Sequence, residues 1–178
     1  MFKEDKNELI LSGRIVNIFP AKGCVIVTLC TGNHTFPKVV CWQQNAECIL
    51  SEYKVNDDIH LLCNFQSSKH EGKLTTSIFC TSILEKPSFD EHLYNSFIVR
   101  GRIVSVFLSD DLTKIIVETV TNGRHSTVPI CVYNKNIRWH YEKNQPICMR
   151  GTVETRRKSL NGKTVYFTNY VASHVSDF

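Results

Sequence analysis

Hydrophobic and polar residues alternate along several segments of the chain. Phe97, Val99 and Ile103 fall on one phase and Arg100 falls on the other, and the stretch 147–156 shows the same alternation. A period of two is that of a β-strand, whose successive side chains point to opposite faces of a sheet. The pattern predicts a protein built mainly of strands that have one buried and one polar face.

The strand pattern occurs twice, in the same order. Residues 9–19 read LILSGRIVNIF and residues 97–107 read FIVRGRIVSVF, with Gly-Arg-Ile-Val identical. Further pairs of segments recur at a spacing of about ninety residues, which indicates an internal repeat. They are 25–28 with 115–118, 39–42 with 130–133, 53–59 with 141–147, and the Gly-Lys turns 72–73 with 162–163. The repeat predicts two similar domains, 1–86 and 97–178, joined by a linker at 87–96.

Each repeat contains five segments with strand character. A helix is expected only between the third and fourth strands, at about 44–53 in the first repeat and 134–142 in the second. Gly13 and Gly101 interrupt strand patterns and predict a bulge or a bend. Five strands with a helix between the third and the fourth form an OB-fold, a small Greek-key barrel. The predicted fold class is therefore all-β, with tandem OB-folds and one short helix in each.

Composition fits an ordinary globular protein. The chain has 178 residues, of which 42% are hydrophobic and 21% charged. No apolar stretch approaches the roughly eighteen residues that a membrane span needs. No apolar segment follows the charged N-terminus, so we expect no secretory signal and a cytoplasmic protein.

The cysteines and histidines do not form a recognisable chemical site. The eight cysteines include no CxxC pair, and Cys41 and Cys131 lie inside apolar runs. A free cysteine packs as a small hydrophobe, and the spacings 24/30 and 41/48 are too wide for zinc knuckles. The seven histidines are scattered, and no glycine-rich phosphate loop is present. We therefore predict a protein without metal, cofactor or enzymatic activity.

The charge lies in the second repeat. Residues 1–88 carry nine basic and nine acidic side chains, so the net charge of +4 comes entirely from residues 89–178. Basic side chains on a barrel face attract phosphates. They are Arg100, Arg102, Arg150 and Arg156, which share a strand phase, together with Arg157, Lys158 and Lys163, which lie around the turn at 161–162.

Tyr166 and Tyr170 fall on the outward phase of the last strand, between these charges. Aromatic and basic side chains on one sheet face suit the stacking of unpaired bases over a bound backbone. A solvated hairpin with tyrosines at the barrel edge is the alternative interpretation. Trp42 and Tyr133 stand at equivalent ends of the third strands, with Phe36 six residues before Trp42. They are either core residues or stacking platforms, because both phases of this strand are apolar.

Two stretches resemble the bacterial single-stranded DNA-binding proteins (SSB). Residues 147–175 are similar to that family's fourth strand, polar hairpin and last strand, and residues 35–53 to its third strand and the following helix. The resemblance implies that Phe36, Trp42 and Tyr133 stack on bases and that Arg14 and Arg102 lie beside them on the first strands. The predicted ssDNA-binding residues are Arg14, Phe36, Lys38, Trp42, Lys73, Arg100, Arg102, Tyr133, Arg150, Arg156, Arg157, Lys158, Lys163, Tyr166 and Tyr170.

The chain departs from the family pattern at two positions. Thr127 stands where an aromatic residue is expected six positions before Tyr133, and Lys158 stands where many members have an aromatic residue on the hairpin. This difference predicts that the first repeat binds more by stacking and the second more by charge. The sequence closes with Val175-Ser176-Asp177-Phe178, which has one carboxylate in place of the family's flexible linker and acidic tip, so we expect weak recruitment of partner proteins.

The resemblance implies a sequence-independent ssDNA binder that protects strands in replication, recombination, repair or DNA transfer. It also implies a homodimer with four OB-folds, and a plasmid- or phage-borne relative of the family. Two other functions stay open at this point. The neutral first repeat also suits an OB-fold adaptor that binds proteins, and the basic face also suits RNA.

Overall fold

The computed structural model describes residues 4–32, 34–85, 93–137 and 139–177, and these are nearly all β. The first repeat forms β1 (Lys6–Ala21), β2 (Cys24–Cys30), β3 (Lys38–Trp42), α1 (Gln43–Glu52), β4 (Asp58–His70) and β5 (Lys73–Ile83). The second forms β6 (Tyr94–Leu108), β7 (Leu112–Thr121), β8 (Arg124–Tyr133), β9 (Pro146–Leu160) and β10 (Lys163–Ser176). The predicted all-β class is confirmed, and each repeat contains the five strands that the sequence predicts.

Each set of five strands closes into a barrel. In the first repeat the neighbours run β2-β3-β5-β4-β1, and β1 pairs again with β2 to complete the ring. The second repeat runs β6-β7-β8-β10-β9, and β9 pairs with β6. Within each ring one pair of strands is parallel, β3 with β5 and β8 with β10, as a Greek-key connection requires. Closure leaves few free strand edges.

The two barrels are joined through their first strands. β1 pairs antiparallel with β6, and at the centre of this ladder Leu9 faces Phe97, its own counterpart in the repeat. The two repeats are therefore related by an approximate twofold axis at this pair. Leu9 and Phe97 are both buried, so both barrels lie on the same side of the central strands β4, β1, β6 and β9.

The strand glycines allow close contact between backbones. A Cβ atom on Gly101 would collide with the carbonyl oxygen of Glu118 on β7, and one on Gly13 would collide with that of Cys30 on β2. The predicted irregularities lie slightly farther along, where the register shifts after Ile15 in β1 and after Ile103 in β6. Glycine and bulge together let the first strand bend around its barrel.

The helix prediction is correct for one repeat only. α1 covers Gln43–Glu52, close to the predicted 44–53. The predicted helix at 134–142 is wrong, since residues 134–136 form a turn and the described residues after them are not helical. Asn134 explains the difference, because its side chain donates to the Ser109 carbonyl at 2.7 Å and accepts from the Thr113 hydroxyl at 2.7 Å. These bonds compete with a helical start.

The connection between the repeats ends earlier in the chain than the predicted linker, which ran to residue 96. Residues 87–92 of the predicted linker lie outside the described residues, and β6 already begins at Tyr94. The Asn95 side chain donates to the Val153 carbonyl at 2.7 Å and accepts from the Val153 amide at 2.9 Å. Residues 94–96 therefore belong to the second barrel. Over the described ranges, the helix present is too short and too polar to cross a membrane.

Candidate nucleic-acid interface

The outer face of β3 carries an exposed tryptophan. Val39 and Cys41 point into the barrel and are fully buried, which leaves Lys38, Val40 and Trp42 on the outside. Trp42 is 46% exposed, and its ring lies parallel to that of Phe79 on β5, with the ring centroids 6.5 Å apart. The choice that the sequence left open at Trp42 is resolved in favour of the surface.

An apolar row crosses this outer face in register. Phe19 on β1 faces Ile26, Ile26 faces Val40, and Val40 faces Phe79. Phe19 is 57% exposed. Together with Trp42, these four residues define what we call the aromatic face of the first repeat. Sequence reasoning missed Phe19, although its recurrence as Phe107 was a usable signal.

The corresponding face of the second repeat is more polar. Its row runs from Phe107 to Lys114, then to Cys131 and Val171. Phe107 is 60% exposed, so an exposed phenylalanine occurs at the same place in both barrels. A lysine replaces Ile26 at the second position of the row, which gives this face a positive charge.

Tyr133 is held beneath an arginine. The Arg156 guanidinium carbon lies 5.0 Å from the centre of the Tyr133 ring, and Arg156 also pairs with Glu154 at 3.3 Å. A cation over an aromatic ring is an attractive contact. Tyr133 is half-buried, in contrast to its counterpart Trp42. The ring is covered on one side in this conformation, and a base could stack there only after Arg156 moves.

The residues 154–168 form an extended arm, which we call the basic hairpin. It consists of the end of β9 and the start of β10, and its exposed members include Arg157, Lys158, Lys163 and Tyr166. Tyr166 is 63% exposed and faces Arg157 across the ladder. The structure brings these predicted residues together. In the first repeat the equivalent hairpin carries Lys73, which is also exposed.

Tyr170 is not a surface residue. Its side chain is 6% exposed, and its ring packs on Phe65 of the first barrel at a centroid distance of 4.5 Å. The hydroxyl donates to the Thr76 carbonyl at 3.3 Å. Burial raises the pKa of Tyr170 to about 12. The prediction that Tyr170 lies outward is wrong, and a buried ring at a barrel junction cannot stack on a base.

The remaining predicted arginines lie away from the basic hairpin. Arg14 pairs with Asp58 at 3.7 Å, and Arg102 donates to the Asn144 carbonyl at 3.3 Å. Arg100 donates to the Glu4 carbonyl at 3.0 Å, and Arg150 is exposed on β9. Although these arginines share a strand phase with Arg156, the structure separates them from it.

The cysteines are free in this structure, and two of the buried ones, Cys41 and Cys63, are poor nucleophiles. A hydrogen bond to Cys80 and burial raise the pKa of Cys41, and burial raises the pKa of Cys63. A thiol with a raised pKa is rarely the reactive thiolate. Among the described residues, no group of three or more His, Cys, Asp or Glu side chains is placed to hold a metal ion.

Comparisons with known proteins extend the fold assignment. No family model and no curated protein matches the sequence. Two solved structures of the single-stranded DNA binding protein from Thermus aquaticus, a deletion mutant and the wild type, are similar with TM-scores of 0.70 and 0.67. Each is 12% identical, and the alignments cover 98% of this chain and 95% and 94% of those chains. The likeness spans both repeats and confirms the OB-fold prediction.

Proposed function

We propose that this protein binds single-stranded DNA without sequence preference, by base stacking and phosphate contacts. The observation that carries the proposal is the set of exposed aromatic rings, Phe19, Trp42 and Tyr166, beside exposed basic side chains on OB barrels. Phe19 and Trp42 belong to the contiguous aromatic face, and a large contiguous apolar patch on a protein surface commonly marks an interaction site. The likeness in fold to a protein named as a single-stranded DNA binding protein supports the same assignment.

Stacking and charge make separable contributions to such binding. Each stacked base contributes about 1–3 kcal/mol, and the contribution tolerates any base because every base has an aromatic face. Each phosphate contact by Lys or Arg releases counterions and therefore makes binding salt-dependent. On this basis the aromatic face supplies mainly stacking, and the basic hairpin supplies most of the salt dependence. The cellular role is then to cover and protect strands in replication, recombination or DNA transfer.

The proposed contact residues are side chains that are exposed or, for Phe36, Arg100 and Tyr133, partly exposed. They are Phe19, Phe36, Lys38, Trp42, Phe107, Tyr133, Arg156, Arg157, Lys158, Lys163 and Tyr166, with Arg14, Lys73, Arg100, Arg102 and Arg150 as outlying phosphate contacts. Tyr170 is excluded because it is buried.

Salt titrations of two variants test the division between stacking and charge. Trp42→Ala should weaken binding of fluorescein-labelled oligo-dT by about 5-fold or more with an unchanged salt slope. Arg156→Ala combined with Lys158→Ala should reduce the salt slope by about one to two. Lys54→Ala combined with Lys143→Ala removes two exposed charges from the loops before β4 and β9 and serves as the matched control. Equal salt slopes for the two test variants would contradict the division.

A competition titration tests the ligand itself. Unlabelled oligo-dT should displace the labelled strand at lower concentration than RNA or duplex DNA of the same length. Preferential displacement by RNA would make the protein an RNA binder. If wild-type protein fails to bind any of the three at low salt, the protein is better explained as an adaptor for other proteins.

We further propose that the chain forms a homodimer through the outer face of the central strands. Over the described ranges both barrels lie on the other side of these strands, and Ile10 and Ile98 on this face are half-buried. Ile10 and Ile98 lie near its centre, on opposite sides of the approximate twofold axis, and Ile98 is flanked in register by Glu8 and Arg150. A face with apolar residues at its centre and opposite charges around them suits association with a second copy.

A further inference from the structure

We propose that each strand-binding surface is composite, built from the third strand of one repeat and the hairpin of the other. The stronger surface joins Phe36 and Lys38 of the first repeat to Arg157 and Tyr166 of the second. The inference rests on the proposed binding function and adds where on the molecule one strand lies. It keeps the separate contributions of stacking and charge and places residues of both repeats on one strand.

The first evidence is the way each hairpin is anchored. The amide of Phe36, just before β3, donates to the Thr155 hydroxyl on the basic hairpin at 2.8 Å. The reciprocal contact is present on the other side of the twofold axis, where the Thr127 amide donates to the Ser67 hydroxyl at 3.0 Å. The Thr76 hydroxyl adds a bond to the Thr127 carbonyl at 2.9 Å. The basic hairpin therefore docks on the segment just before β3, and the hairpin of the first repeat docks on β8, the third strand of the second repeat.

The second evidence is the direction of the hairpin side chains. Residues opposite each other in an antiparallel ladder point to the same side, and sides alternate along each strand. Thr155 faces Thr168, and two positions farther Arg157 faces Tyr166. Arg157 and Tyr166 therefore share the side of the hairpin on which Thr155 bonds to the first repeat. Arg156 lies on the opposite side, over the Tyr133 ring of its own repeat.

The two composite surfaces differ in chemistry although their backbones correspond. At the positions of Phe36, Arg157 and Tyr166, the second surface has Thr127, Lys69 and Leu74. All three residues that can stack or form bidentate phosphate contacts are thus replaced by residues that cannot, although Lys69 keeps the positive charge. Stacking needs aromatic rings, and arginine recognises phosphate better than lysine does. The first surface should hold a strand more tightly than the second.

A cleft marks the junction within the stronger surface. It has a volume of about 330 Å³ and is lined by residues of both repeats, including Thr31 and Thr35 from the first and Thr152 and Thr155 from the second. Its lining also includes Glu154, whose carboxylate pairs with Arg156 at 3.3 Å, so the threonine hydroxyl groups are the lining groups that can bond to sugar and phosphate oxygens. The excess positive charge of the second repeat therefore lies where the aromatic residues of the first repeat can use it.

The test uses a single-tryptophan protein, in which Trp139→Phe leaves Trp42 as the only reporter. The ligand is an oligo-dT of about eight to ten nucleotides, within the range that one OB-fold covers. Arg157→Ala and Tyr166→Ala should each weaken the binding reported by Trp42 quenching by about 5-fold or more. The matched controls Lys69→Ala and Leu74→Ala change the corresponding positions of the other surface and should alter the same affinity by less than about 2-fold. Thermal unfolding of each variant verifies that it is folded.

A double-variant comparison tests whether the two repeats act on one strand. Phe36→Ala with Arg157→Ala should weaken binding by less than the product of the single effects, because both residues contact the same short ligand. The double variant Phe36→Ala with Lys69→Ala should weaken binding by the product of the two single effects. Equal effects of Arg157→Ala and Lys69→Ala on Trp42 quenching would overturn the composite surface while the binding function stands. Absence of binding by the parent protein, measured by quenching and by ligand anisotropy, would reject the binding function and the composite surface together.

Discussion

Tyr170 joins the two repeats through both its ring and its hydroxyl group. The ring packs on Phe65 at 4.5 Å, and the hydroxyl bonds to Thr76, so the contacts of this side chain cross from one barrel to the other. Burial raises its pKa from 10.0 to about 12, because an ionised phenol is poorly solvated there. Folding therefore favours the neutral form of Tyr170.

The raised pKa of Tyr170 leads to a prediction about the stability of the protein at alkaline pH. A group with a raised folded-state pKa contributes stability below its unfolded pKa and loses it as the pH rises through the folded pKa. Between pH 10 and 12 the wild type should lose roughly 2–3 kcal/mol of unfolding free energy through Tyr170. Tyr170→Phe should lose less over this window, as measured by urea unfolding at each pH. Tyr166→Phe, at an exposed site, is the control, and an identical alkaline loss in Tyr170→Phe and wild type would contradict the assignment.

Tyr166 and Tyr170 also show what alternation can predict about single residues. They lie on the same side of β10, yet one is 63% exposed and the other 6%. Alternation gives the side to which a residue points, and the first barrel covers only part of that side. The exposure of Trp42 was unpredictable for a related reason, since both phases of β3 are apolar. Recognition of the exposed residues needed the packing of one repeat on the other.

At the scale of elements, two asparagines hold the barrels in their relative position. Asn7 donates to the Phe65 carbonyl at 2.7 Å and accepts from its amide at 2.8 Å, as Asn95 does with Val153. Each asparagine also contacts a threonine of the other repeat, Thr119 or Thr31. These bonds satisfy backbone groups at the point where β4 and β9 leave the first strands.

Replacement of either asparagine should therefore lower the unfolding free energy, because a backbone amide and carbonyl near the end of a strand pairing lose their side-chain partner. Asn95→Ala leaves the partly buried amide and carbonyl of Val153 without their side-chain partner, and it should lower the unfolding free energy by about 1–3 kcal/mol. Asn7→Ala should have a similar effect at Phe65. Asn17→Ala, at an exposed position of β1, is the control. Urea unfolding measures all three, and a change below about 0.5 kcal/mol for both Asn7 and Asn95 would contradict this role.

The elements themselves were largely predictable from the sequence. Strand order and the repeat followed from alternation and from the recurring Gly-Arg-Ile-Val segment, because barrel strands have one buried face. The missing second helix did not follow, since Asn134 is engaged by the β6–β7 turn, a contact between distant residues. Ile137, Trp139 and Tyr141 pack on the core without a helix. The local sequence pattern does not predict the structure of this segment, because tertiary contacts override the local preference.

At the scale of the whole molecule, the approximate twofold relation between the repeats determines where the basic side chains of the second repeat lie. The net charge of +4 belongs to the second repeat in sequence. The basic hairpin nevertheless docks beside β3 of the first repeat, through the bond between Phe36 and Thr155. The sequence predicts that the first repeat binds more by stacking and the second more by charge. On the composite surface that we propose, the antiparallel joining of β1 and β6, which no local pattern encodes, lets residues of both repeats contact one strand.

The same joining leads to the prediction about assembly. The outer face of the central strands contains Ile10 and Ile98, with Glu8 and Arg150 on either side of Ile98 in register. A second copy related by a twofold axis would place the isoleucines against each other. Sedimentation equilibrium at micromolar concentration should give about twice the 20.4 kDa chain mass for wild type. Ile98→Glu should be monomeric, because association would bring two introduced carboxylates, one from each copy, into the apolar centre of the interface.

Leu108→Glu is the matched control, because Leu108 is exposed at the far end of β6 and away from this face. It should leave the dimer intact. Ile98→Glu should still bind a short oligo-dT, since each composite surface is complete within one chain, but it should lose affinity for strands long enough to contact both copies. A monomeric wild type, or a dimer that survives Ile98→Glu, would contradict assembly through the central strands and leave the composite surface unaffected.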